Sequence, residues 1–192
     1  MARHGVIVLA AGDSRRLGQA KQLLSVDGEA LLYRVARLGL ATAPADCLVV
    51  LGADADRMRA LLRGLPLRSA VCNDYQRGMA ASLQTGLTAL DAGCSGALVL
   101  LTDQPALDEA HLTALCECWR AQPSRAVASG YARTIGVPAL LPRAWFAAAM
   151  QIEGDRGARE LLRDRADEIA VIAAPQLARD IDRPEDLPRS PF

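Results

Sequence analysis

The chain has few aromatic residues, 4% of its 192, and no excess of charge of either sign. Lys plus Arg and Asp plus Glu number 22 each, so no global field attracts a polyanion, and nucleic-acid binding would need a local basic patch. None is visible, and no nucleic-acid partner is expected. No apolar run approaches the roughly 20 residues that cross a bilayer, because charges interrupt every segment. A membrane partner is therefore not expected either. The opening Met1-Ala2-Arg3-His4-Gly5 passes directly into apolar residues, without the h-region and small-residue cleavage site of a signal peptide, which points to the cytoplasm. The five cysteines, at 47, 72, 94, 116 and 118, are odd in number and form no CxxC. Neither a disulfide framework nor a zinc site is indicated. The two histidines, His4 and His111, fall in no motif.

The content is 51% hydrophobic and rich in Ala, Leu and Val, which suits helices packed on a sheet. Short apolar runs alternate with amphipathic stretches, the pattern of βαβ units and a largely parallel sheet. Strands are predicted at 5–11, 47–51, 69–72, 97–101, 126–129 and 168–172. Helices are predicted at 29–41, 54–63 (capped by Asp54 or Asp56), 79–92, 108–120 (capped by Asp108), 143–150 and 155–163. The continuous Ala97-Leu98-Val99-Leu100-Leu101 implies cover on both faces and a central place in the sheet. Residues 131–141 are interrupted by Gly and Pro and read as an irregular excursion or an antiparallel ribbon carrying substrate contacts. No repeat, low-complexity tract or linker breaks the chain, so one domain over 1–192 is expected.

From Leu9-Ala10-Ala11-Gly12 the chain leaves its first strand through small residues and enters the cationic stretch Asp13-Ser14-Arg15-Arg16-Leu17-Gly18-Gln19-Ala20-Lys21. Gly12 and Gly18 permit positive φ and close backbone approach, so main-chain N–H groups can cradle phosphate oxygens. Arg16 and Lys21 supply charge, Arg as a two-oxygen clamp and Lys as a point charge. The spacing is neither the GxGxxG of dinucleotide-binding folds nor the GxxxxGK[ST] phosphate loop.

Two acidic elements accompany it. Asp103 follows the central strand in Thr102-Asp103-Gln104-Pro105, at the carboxyl edge where ligands of parallel sheets bind. A carboxylate there can take one or two positions of an octahedral Mg²⁺ whose other ligands are waters and substrate phosphates. Asp180-Ile181-Asp182-Arg183-Pro184-Glu185-Asp186-Leu187 is the second. Its carboxylates Asp180 and Asp182 share a face if extended, although the residues alone fit a solvated acidic turn equally well. Gly78 to Ala81 and the Ser82 hydroxyl, at the start of a predicted helix, leave room to read a base edge, or serve close packing.

The run Leu-Ala-Ala-Gly-x-Ser-x-Arg-x-Gly-x-x-Lys, continued by Gln22-Leu23-Leu24, resembles the opening motif of the MobA-like NTP transferase superfamily. That group includes the molybdenum cofactor cytidylyltransferases, the guanylyltransferases of the same pathway and the methylerythritol-phosphate cytidylyltransferases. The resemblance covers almost the whole chain. It implies a Rossmann-like three-layer αβα sandwich with a mostly parallel mixed sheet, of the nucleotide-diphospho-sugar transferase type. It also implies that Leu9, Ala10, Ala11, Gly12, Arg16, Lys21, Gly78, Ser82 and Asp103 bind nucleotide. Arg16, Lys21 and Asp103 would be catalytic, and Asp103 with Asp182 would hold Mg²⁺, with Mn²⁺ as a substitute. Gly136-Val137-Pro138 and Gly154-Asp155-Arg156-Gly157-Ala158-Arg159 resemble segments that approach the pterin substrate, which makes Asp155, Arg156 and Arg159 candidate acceptor contacts. Gln104 and Arg183 depart from the commoner residues of relatives.

The Ala10-Ala11-Gly12 form points to the cytidylyl branch. The implied activity is transfer of CMP from CTP to the phosphate of molybdopterin, with release of pyrophosphate and transient contact with a molybdenum hydroxylase or its chaperone. Guanylyl transfer to the same cofactor and cytidylyl transfer to a polyol phosphate are the alternatives. A non-catalytic factor that hands cofactor to a molybdenum hydroxylase is a further one, which the retained Asp103, Asp182, Arg16 and Lys21 speak against.

Overall fold

The computed structural model describes residues 2–12, 20–181 and 186. Among the described residues the strands are, in chain order, β1 (His4–Ala10), β2 (Ser25–Val26), β3 (Glu29–Ala30), β4 (Asp46–Leu51), β5 (Arg68–Val71), β6 (Gly96–Leu101), β7 (Ala126–Tyr131), β8 (Thr134–Pro142) and β9 (Ile169–Ala173). The helices are α1 (Leu31–Ala41), α2 (Ala55–Leu61), α3 (Met79–Ala89), α4 (Glu109–Ala121), α5 (Phe146–Ala149) and α6 (Ala158–Asp164).

Seven strands make one sheet in the order β5-β4-β1-β6-β8-β7-β9. All neighbours run parallel except β8, which is antiparallel to both β6 and β7. Alternation along β1 explains the layers. Val6, Val8 and Ala10 face one core with Leu32 and Val35 of α1, Met58 of α2, and Leu112 and Trp119 of α4. Ile7, Leu9 and Ala11 face the other with Leu83 and Leu87 of α3, Ala149 of α5 and Leu161 of α6. A strand covered on both faces must be apolar at every position. Accordingly β6 is the fourth of seven strands and is buried from Gly96 to Leu100. Gly86 lets α3 approach the sheet, since a Cβ there would stand 2.6 Å from Ile7 Cγ2. Among the described residues no helix is long and apolar enough to cross a membrane.

Two sequence expectations are corrected and a third is narrowed. The helix predicted from 29 begins at Leu31, because Glu29 and Ala30 pair with Ser25 and Val26 across an Asp27-Gly28 turn in which both residues have positive φ, 54° and 80°. That is the Asp-Gly signal of a tight hairpin. Asp54 stands before α2 with φ 54° and makes no side-chain capping bond, whereas Asp108 does cap α4, accepting from the His111 N–H at 2.8 Å. Of the two readings of 131–141 the antiparallel one is met: residues 134–142 are an internal strand, antiparallel to β6 and β7. The register slips between Ala128 and Ser129, leaving Val137 and Pro138 out of the β7 ladder, and Ser129 Oγ donates to the Pro138 carbonyl at 2.7 Å. A bulge of this kind is how a proline is accommodated inside a sheet.

The order β5-β4-β1-β6 reverses direction of winding at β1, so a crevice opens between the segments that follow β1 and β6. Ligands of open α/β sheets bind at such a switch point.

Candidate active site

The segment after β1 starts from buried backbone: Leu9, Ala10 and Ala11 are 7%, 2% and 2% exposed. Gln22, in the short 3₁₀ turn Lys21–Leu23, donates through Nε2 to the carbonyls of Ala10 at 3.1 Å and Gly12 at 2.8 Å. One buried amide thus ties the two ends of the cationic stretch together. The sequence reading passed over Gln22, although the Lys-Gln-Leu-Leu continuation was the signal that could have found it. Gly12 does not use the positive φ open to it. A Cβ there would meet nothing within 4 Å, so what it contributes is open space above the strand end. Arg16, Gly18 and Asp182 lie outside the described residues.

Across the crevice, Lys21 Nζ reaches Asp103 Oδ2 at 2.8 Å, joining positions 82 residues apart. The two side chains are 20% and 15% exposed. The other oxygen, Asp103 Oδ1, is buried with no hydrogen-bond partner. The terminal acidic segment arrives at the same point: the Ile181 N–H donates to the Asp103 carbonyl at 2.9 Å, and Ile181 is anchored beside Val26 and Leu31. Asp180 is exposed next to this contact.

Gln104 and Tyr131 form the floor beside Asp103. Gln104 Nε2 donates to the Val137 carbonyl at 3.0 Å and to Tyr131 Oη at 3.3 Å, and the Tyr131 hydroxyl donates to the same carbonyl at 2.9 Å. Burial pushes the Tyr131 hydroxyl pKa up, opposed by the nearby positive charge of Arg159. Tyr131 was not singled out from sequence; its role depends on β8 folding back beside β6. The buried side-chain oxygens left without a partner among the described residues are Gln22 Oε1, Asp103 Oδ1 and Gln104 Oε1, and all three belong to this edge. An unmet buried acceptor costs about 1–3 kcal/mol. Three such acceptors together, one of them a carboxylate, are a donor set that suits a cation or a hydrogen-bond-donating ligand. Among the described residues no group of three His, Cys, Asp or Glu side chains could hold a metal.

The two remaining elements touch each other. Gly78 opens α3 with φ 100°, and a Cβ there would stand 2.4 Å from the Gly154 carbonyl carbon. The Ala80 N–H donates to the Gly154 carbonyl at 3.1 Å, and Gln84 Nε2 donates to the carbonyls of Met150 at 3.1 Å and Ile152 at 2.8 Å. The candidate base segment Gly78–Ser82 and the candidate acceptor loop are therefore one packed unit, with Ser82 buried in the first turn of α3. Asp155, Arg156 and Arg159 line a cavity of about 740 Å³ that also includes Arg133, Ile135 and Glu160. Arg156 pairs with Glu160 at 3.0 Å.

A cation–carboxylate pair at the switch point of a doubly wound sheet is an arrangement that suits a nucleotidyltransferase. The chain belongs to the MobA-like NTP transferase family, whose domain matches residues 6–169. It is 30% identical over 191 residues to the purine catabolism protein PucB of Bacillus subtilis, covering 94% of this chain and 92% of that one. It is 31% identical over 169 residues to the nicotine blue oxidoreductase of Paenarthrobacter nicotinovorans, covering 83% of this chain and 81% of the relative. Among solved structures, Rv0371c of Mycobacterium tuberculosis is similar with a TM-score of 0.85 and 27% identity, covering 96% of this chain and 95% of that one.

Proposed function

We propose that the protein transfers CMP from CTP to the phosphate of molybdopterin, releasing pyrophosphate. The observation that carries the reading is the Lys21 Nζ to Asp103 Oδ2 contact of 2.8 Å with Asp103 Oδ1 left unpartnered. An acceptor phosphate oxygen attacks the α-phosphorus in line as the bond to pyrophosphate breaks. No general base is needed, because the acceptor is already ionised. Lys21, Arg16 and the amides of the small-residue loop offset charge that gathers on the departing pyrophosphate. Gln22 keeps the mouth of that loop closed, and the Gly78–Ser82 segment packs against the base. When bound, Mg²⁺ or Mn²⁺ would be held by Asp103 Oδ1 and Asp182 and would supply charge neutralisation between α-phosphate and acceptor.

The cavity lined by Arg133, Asp155, Arg156 and Arg159 supports a bulky acceptor over a small polyol phosphate. Its roughly 740 Å³ is on the scale of sites for ligands of cofactor size. Its lining mixes arginines, which suit a phosphate, with Glu153 and Asp155, which suit the ring N–H donors of a pterin. The Ala10-Ala11-Gly12 form favours CTP over GTP. A relative named for an oxidoreductase activity shows that chemistry varies on this scaffold, so the acceptor must be tested directly. Purified protein with Mg²⁺ or Mn²⁺, molybdopterin and each of CTP, GTP, ATP and UTP should release pyrophosphate fastest with CTP. No pyrophosphate release with any of the four nucleotides, or release equally fast without the acceptor, would defeat the proposal.

A further inference from the structure

β7 and β8 are joined by the two-residue turn Ala132-Arg133, and both residues take left-handed backbone angles, φ 47° and 59°. Such a turn asks for Asn-Gly, and an alanine and an arginine in its place are strained. Strain of this kind persists where the surroundings impose it and gathers at ligand sites.

Arg133 stands exposed on the rim of the 740 Å³ cavity. The other arginines there are engaged. Arg156 and Arg163 bond Glu160 at 3.0 and 3.3 Å, and the charge of Arg159 acts on the Tyr131 hydroxyl. Among the described residues no ion pair or hydrogen bond occupies Arg133. Nor does it sit on a wandering loop: Tyr131 and Thr134 pair on either side of the turn, and Val137, four residues along the chain from Arg133, receives Gln104 beside Asp103. The guanidinium is thus carried by the same rigid ribbon that floors the reaction site.

We infer that Arg133 is a specificity-determining residue that binds the phosphate monoester of the acceptor, with the two-oxygen geometry that a guanidinium offers. This inference rests on the acceptor reading of the cavity. It can be tested without turnover by using FMN as a stable fused-ring phosphomonoester and riboflavin as the same ring system without phosphate. The full chain, with α,β-methylene-CTP filling the nucleotide site, is titrated with each and followed by fluorescence anisotropy.

Wild type should bind FMN at least about ten-fold tighter than riboflavin, the scale of one charge-assisted hydrogen bond. Arg133→Ala should abolish most of that preference, and Arg133→Lys should restore part of it. The double change Ala132→Asn with Arg133→Gly relieves the turn, so it should melt higher than wild type while losing the preference, a pairing that a structural role for Arg133 could not give. Wild type without an FMN preference, or Arg133→Ala with the preference intact, would overturn the inference. If the preference depends on Arg133 but no pyrophosphate is released from CTP and molybdopterin, the catalytic reading fails and this one stands. If pyrophosphate is released and Arg133→Ala leaves the acceptor KM within two-fold of wild type, the reverse holds.

Discussion

The two edges of the sheet carry similar polar content and treat it oppositely. At the amino edge, His4 is 2% exposed at the start of β1, and its Nε2 lies 2.9 Å from Thr42 Oγ1. The Thr42 hydroxyl donates onward to the Gly39 carbonyl at 2.7 Å, which leaves Nε2 as the donor to it. The Cys116 thiol at 3.7 Å and the edge of Trp119 close the pocket, and Arg120 donates to the Thr42 carbonyl. Acceptors there are consumed within the protein. At the carboxyl edge Gln22, Asp103 and Gln104 each keep an oxygen unmet. The acceptors of one edge are met by folding, although the Trp119 Nε1 donor there has no partner, and those of the other await what binds to them. The first should therefore govern stability and the second rate.

Exchanging those roles would break the contrast. Asp103→Ala and Lys21→Ala should each lower kcat by at least ~10²-fold, the scale of removing one electrostatic contact to a transition state. Both variants should keep a melting temperature close to wild type, because a partly exposed pair returns little net stability. Near-normal pyrophosphate release from either would remove the site from this edge.

His4 should show the opposite behaviour, with an effect of comparable size on stability. Burial, aided by Arg120, lowers its pKa from 6.5 to about 4. Between those values the unfolded chain binds a proton that the folded chain refuses. The contribution of neutral His4 is therefore complete above pH 6.5 and is lost as pH falls toward 4, by about 3 kcal/mol in all. His111 is shifted in the same direction, chiefly by burial. Urea midpoints at pH 7.5, 5.5 and 4 should fall more steeply for wild type than for His4→Gln. Parallel curves would show that His4 is not buried neutral, and a loss of turnover in His4→Gln at pH 7.5 would show that the two edges are not separable.

The same division explains what could be read from sequence. Strands β1, β4 and β6 were legible because burial on both faces leaves no choice but apolar residues, and Asp103 was legible because it directly follows such a strand. Lys21 was legible from its motif. Gln22 and Tyr131 were not, since each acquires a partner only after distant backbone has come to rest beside it: the carbonyls of Ala10 and Gly12 for one, that of Val137 for the other. Strand β8 could be read as either an irregular excursion or an antiparallel ribbon, because its Gly136 and Pro138 look like loop residues until the register slip opposite Ser129 makes room for them. Asp27-Gly28 was a local signal that helical periodicity in the following residues masked.

The smallest expected effect tests whether the carboxyl edge is itself divided into a nucleotide part and an acceptor part. Gln84 lies on α3, two residues past Ser82, but its Nε2 is committed to the carbonyls of Met150 and Ile152, which lead into the cavity loop. Gln84→Ala removes two partly solvated bonds, so it should cost only about 1 kcal/mol of stability. The loop it releases carries Asp155 and Arg156. The KM for the acceptor should then rise a few-fold while that for CTP stays within two-fold, read from initial rates of pyrophosphate release with each substrate varied in turn. Were the CTP KM to move instead, α3 would be holding the base through Gln84, and the loop would be following the nucleotide rather than shaping a separate pocket.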